Sequence, residues 1–86
     1  MIIKDIQDIN TRETRTDGRY PARIGCEVEY LRPVIVGDCA YLGYLKDNQG
    51  NEKGGYLRTS IVTGCSVMQD QDIIFTNNSI YVLSKV

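Results

Sequence analysis

DIIFTNNSIYVLSKV, residues 72–86, decides how the rest of the chain is read. Ile73, Ile74 and Phe75 run into Asn77-Asn78-Ser79, and Ile80 to Val86 is largely apolar again. Asparagine tolerates the left-handed backbone of a tight reversal, so the pattern predicts two short strands joined by a hairpin turn. Both runs carry apolar residues on each parity. Such a strand must be paired along its edges and covered on its faces, because an open apolar edge recruits other chains. At this length the economical cover is a barrel whose terminal strands pair with each other.

Working back from that hairpin, Arg23 to Tyr30 gives the plainest period of two. Ile24, Cys26, Val28 and Tyr30 alternate with Arg23, Gly25, Glu27 and Glu29. One face is apolar and one wet, which predicts a half-buried strand over the whole stretch. Leu31-Arg32-Pro33 ends it, since proline has no ladder donor. Val34 to Val36 reads as a short extended piece, Gly37-Asp38 as a turn, and Cys39 to Leu45 as a strand. Lys46 to Gly55, KDNQGNEKGG, is polar throughout and predicts an exposed hairpin loop. Tyr56 to Met68 follows as strand with a bend near Gly64, and Gln69 to Asp72 as a polar turn. At the other terminus, Ile2, Ile6 and Ile9 fit helical spacing. The β-branched threonines of NTRETRT favour extended structure instead, running toward Arg15, with Asp17-Gly18 as a turn.

These elements predict one all-β domain over residues 1–86, a small antiparallel barrel of five to seven strands. A small β-sandwich, or a barrel with a short N-terminal helix, is the alternative. The order of strand, proline-containing loop, strand pair around an exposed loop, and final hairpin resembles SH3-like barrels. RTSIV (58–62) with DIIFTNNSIYVL (72–83) is similar to segments of small uncharacterised proteins carried by bacteria and their phages or plasmids. That resemblance implies no activity.

Composition narrows the function classes. With 42% hydrophobic and 24% charged residues and a mean hydropathy of -0.27, the chain is too apolar to be disordered. A net charge of -1 excludes coating nucleic acid by bulk electrostatics. MIIKDIQDIN places Lys4, Asp5 and Asp8 where a signal peptide would need an apolar run, so a cytoplasmic location is expected. No apolar run is long enough to span a bilayer, and no membrane association is expected. Cys26, Cys39 and Cys65 are odd in number and widely spaced, unlike a disulfide framework or a zinc set, and read as small core residues.

Histidine is absent, which removes the commonest general base and metal ligand. Glu27 with Glu29 reads as a solvated face, and Asp70 with Asp72 as turn formers, rather than acid–base pairs. GNEKGG lacks the order of a phosphate-binding loop. The chain is therefore expected to be non-catalytic, with no cofactor and no metal. Two binding surfaces remain. Tyr41, Tyr44 and Tyr56 flank the long loop and could meet an unknown protein partner or a second copy, a homodimer being favoured by a small core. Arg12, Arg15, Arg19 and Arg23 stand against only Glu13 and Asp17, with Tyr20 among them. Arginine and aromatic faces are what small barrels use on single-stranded nucleic acid, so this segment is the alternative surface. Protein association is the primary expectation.

Overall fold

The computed structural model describes residues 1–85. Six strands close into a barrel in chain order: β1 (Ile2–Asp8), β2 (Glu27–Tyr30), β3 (Cys39–Lys46), β4 (Tyr56–Val67), β5 (Gln71–Thr76) and β6 (Ser79–Ser84). Every pairing is antiparallel. The all-β, small-barrel expectation holds. One helical turn, α1 (Tyr20–Arg23), lies between β1 and β2.

The cover demanded by the last strand comes from both sides. β6 pairs β5 from Phe75↔Ile80 to Gln71↔Ser84, and pairs β1 from Asp8↔Ser79 to Ile2↔Ser84. Val86 lies outside the described residues. Inward side chains from all six strands form the core, with Ile3, Ile6, Val28, Leu42, Ile74 and Leu83 wholly buried. Each contributes about 1.5–3 kcal/mol of transfer free energy. The Asn77-Asn78 turn is tied by Thr76, whose buried hydroxyl accepts from the Ser79 amide at 2.9 Å and donates to the Ser79 carbonyl at 2.9 Å. A second buried threonine, Thr59, manages a bulge where β4 passes β3. Its hydroxyl accepts from the Ala40 amide at 3.0 Å and donates to the Ser60 carbonyl at 2.8 Å.

Several local readings need correction. Strand β2 is shorter than the Arg23–Tyr30 alternation suggested: Arg23 closes α1, and Gly25 sits at φ +93, where a pleated strand cannot pass. The inward set survives, because Ile24 and Tyr30 still pack on the core beside Cys26 and Val28. The N-terminal segment is extended only to Asp8. It then reverses at Arg12 (φ 63), and Thr14 bridges back to Gln7 instead of continuing outward. Of the cysteines only Cys26 is buried, while Cys65 is exposed.

Asp72 is not a turn residue. It belongs to β5 on the same parity as Ile74 and Thr76, is 4% exposed, and points into the barrel. There the Tyr30 hydroxyl donates to its Oδ2 at 2.6 Å, and Lys85 Nζ lies 2.9 Å from Oδ1. A buried carboxylate is tolerable only when partnered in this way. Burial first, and the Asp72 carboxylate second, push the Tyr30 phenol well above its ordinary value.

Candidate nucleic-acid interface

The opposite mouth of the barrel, near the Asn77-Asn78 turn, is plugged by α1. Gly18 (φ 55) turns the chain, Tyr20 N–H donates to the Asp17 carbonyl at 3.3 Å, and Pro21 supplies the preset backbone of a first helical turn. Ile24 returns to extended backbone, ending the helix. Tyr20 packs against the core, and the Arg15 guanidinium lies 4.3 Å over its ring. Arg15 also donates to Asp17 (2.8 Å), the Asn78 carbonyl (3.0 Å) and Ser79 Oγ (3.1 Å). Its side chain is thus committed to holding the mouth together.

Arg23 approaches the same Tyr20 ring, 5.3 Å from the centroid. It also faces two interior phenols. Burial raises the pKa of Tyr44 and pushes that of Tyr81 up to about 12, and the Arg23 charge opposes the rise in both. Tyr44 comes from β3 on the inward parity, and Lys53 Nζ stands 4.9 Å over its ring. Between α1 and the β3–β4 loop these side chains bound a cleft of about 330 Å³, lined by Arg19, Ala22, Arg23, Tyr44, Lys53, Gly54, Gly55 and Tyr56.

No carboxylate lines this cleft. The ion pairs among the described residues are Arg15–Asp17, Arg32–Asp38 and Lys85–Asp72; Arg19, Arg23 and Lys53 belong to none of them, although Arg23 engages the Tyr44 and Tyr81 hydroxyls and the Lys53 charge acts on Asp47. Gly55 takes φ +86, and the amides of Gly54 and Gly55 donate to no acceptor among the described residues. Three cations outside any ion pair and two open amides at one concavity favour an anion.

Tyr56 forms the rim and is 62% exposed. Its outer side belongs to a second groove, about 240 Å³, lined by Leu31, Arg32, Tyr41 and Tyr56. The Tyr41 and Tyr56 rings are 5.9 Å apart and tilted by 42°, and the Arg32 guanidinium covers Tyr41 at 4.4 Å. Leu31 reaches this face because β3 carries no side chain at Gly43, where a Cβ would lie 2.7 Å from Leu31 Cδ2. Cleft and groove therefore share one aromatic wall.

The two surfaces expected from sequence are reorganised rather than reproduced. Arg19 and Arg23 enter the cleft; Arg15 and Tyr20 stand beside it as its frame; Arg12, on the exposed reversal after β1, is outside it. Tyr41 and Tyr56 pair on the outer face, whereas Tyr44 turns to the mouth and meets the arginines. Sequence reading missed Lys53 and Arg32. For Lys53 the signal was present in the Lys-Gly-Gly run, which read as plain loop; for Arg32 only the folded contact with Tyr41 identifies it. Among the described residues, no helix is long and apolar enough to cross a membrane. Compared with known protein families, curated proteins and solved structures, the chain matches none.

Proposed function

We propose that this protein is a non-catalytic binding module whose ligand is single-stranded nucleic acid. One observation carries the reading: Arg19, Arg23 and Lys53, none of them in an ion pair among the described residues, share a cleft with Tyr44 and Tyr56, and that cleft continues over Tyr56 to Tyr41 and Arg32. Cations spaced along aromatic faces are the two components of strand binding, one tracking phosphates and the other stacking bases. A net charge of -1 does not oppose this, because local potential rather than total charge meets the ligand. A labelled single-stranded oligonucleotide should be retarded by the protein at low salt and released as salt rises. Absence of any retardation at micromolar protein removes the reading.

A second reading has its own support. Leu31 is 54% and Tyr56 62% exposed around the outer groove, an amphipathic surface suited to a protein partner or a second copy. Size exclusion with light scattering tests self-association. A strictly monomeric species at high concentration excludes the homodimer.

A further inference from the structure

We infer that the cleft between α1 and the Lys53-Gly54-Gly55 segment is an end-recognition pocket, taking a terminal phosphomonoester of the strand while Tyr56 stacks its last base. The inference rests on the strand-binding reading and specifies what occupies the cleft. Three features separate this place from an ordinary stretch of backbone-tracking surface.

First, the cations converge instead of lining a track. Arg19 and Arg23 approach from the helical turn and Lys53 from the facing loop, and all three line one volume. An internal phosphodiester brings a single negative charge to that volume. A terminal phosphomonoester brings close to two near neutral pH, with three free oxygens to accept hydrogen bonds. The more highly charged group is attracted more strongly by three like charges at one concavity.

Second, the cleft is blind on its inner side. Tyr44 is packed on the barrel core with the buried Tyr81 near it, so a strand cannot pass inward through the barrel. The cleft continues outward across Tyr56 into the Tyr41–Arg32 groove, and past Tyr44, Lys53 and Gly54 into a hollow lined also by Leu45, Lys46 and Glu52. Third, the loop side is glycine. A Cβ at Gly54 or Gly55 would meet no neighbouring atom, so neither residue is needed for close packing within the protein. What their lack of a side chain leaves open is backbone approach: two amides beside Lys53, able to donate to phosphate oxygens.

Volume agrees with this occupant. About 330 Å³ accommodates a phosphate with its sugar, and leaves the base to the rim. The same phosphomonoester chemistry is offered by a free nucleoside monophosphate, so the test must distinguish the sources.

Fluorescence anisotropy would compare four labelled-strand competitions: one oligonucleotide sequence with a 5′ phosphate, with a 3′ phosphate, and with neither, plus a nucleoside monophosphate as free competitor. The expected result is about tenfold tighter binding of one phosphorylated end over the hydroxyl-ended strand. Lys53→Gln should erase that preference and retain weak binding of the hydroxyl-ended strand. Equal affinity for all three strands overturns end recognition and leaves strand binding standing. Direct binding of a labelled nucleoside monophosphate with no binding of any strand overturns the strand reading and leaves the phosphomonoester pocket. Tyr56→Ala should weaken every strand but spare monophosphate competition. Loss of both equally would show that the cleft and rim do not divide the work as inferred.

Discussion

Replacing Arg19 and Lys53 together by glutamine gives a quantitative test of the strand-binding site. Both side chains are exposed, neither takes part in an ion pair among the described residues, and neither belongs to the core, so the barrel should stay folded. Each phosphate neutralised on a single strand contributes about -0.7 to the slope of log affinity against log salt. With the two charges of a terminal phosphate neutralised by Arg19, Arg23 and Lys53, the slope should be about -1.4, and a rise from ~50 to ~200 mM salt should weaken binding about sevenfold. The double variant keeps Arg23 alone. Its slope should flatten to about -0.7, and the same salt step should cost only about threefold. Anisotropy of a labelled oligonucleotide at four or five salt concentrations measures both slopes directly. A variant that binds more weakly with an unchanged slope would refute the reasoning, because its lost contacts would not have been charge on phosphate. Circular dichroism of the same samples excludes unfolding as the cause.

Three further expectations concern the scaffold. Tyr30→Phe removes the 2.6 Å hydrogen bond to buried Asp72 and should cost about 1.5–3 kcal/mol in urea unfolding. In an Asp72→Asn background the same change should cost clearly less, and equal costs would show that the two side chains are not coupled. Tyr81, raised from 10.0 to about 12 in the folded protein, is neutral there at pH values where the unfolded chain ionises. Its contribution is therefore complete below pH ~10 and lost as pH climbs toward ~12, at most about 3 kcal/mol. Urea midpoints should fall across that window and fall less in Tyr81→Phe; identical alkaline slopes would contradict the burial argument. Gly43→Ala places a methyl against the tip of half-exposed Leu31, a side chain free to move, and should change stability by less than ~1 kcal/mol while disturbing the outer groove. A loss above ~2 kcal/mol would mean that β3 itself had been displaced.

The barrel was legible where side-chain pattern and turn chemistry agreed. Asn77-Asn78 between two apolar runs, the polar Lys46–Gly55 loop and the bend near Gly64 all lie where hydropathy and turn propensity place them. The reading failed where one residue's backbone overrode the pattern around it. Gly25 at φ +93 breaks an alternation that looked continuous, and Arg12 at φ 63 turns a segment whose threonines favoured extension. Asp72 failed for another reason. Its neighbours Gln69, Asp70 and Gln71 are polar, so local composition suggested a turn, while its inward parity matters only once Tyr30 arrives from a strand 42 residues away. The candidate site shows the same limit. The excess of arginine over acid was visible, yet sequence could not reveal that Arg15 is consumed by Asp17 and Asn78 while Lys53 is not.

That difference between Arg15 and Lys53 separates stability from recognition in this fold. A closed barrel leaves no strand edge to extend, so a ligand must meet a mouth or an outer face. One end of the β5–β6 hairpin carries the Tyr30–Asp72–Lys85 cluster, where the buried carboxylate accepts the Tyr30 hydroxyl at Oδ2 and meets Lys85 at Oδ1 as an ion pair without hydrogen-bond alignment. The turn end carries Arg15 and Tyr20, which hold α1 against the core. Arg19 and Lys53 stand just beyond this frame on short segments, and the apolar core does not depend on them. Charges of that kind can be altered without loosening the barrel, so variants at the cleft should change binding while those at Tyr30 and Asp72 change stability.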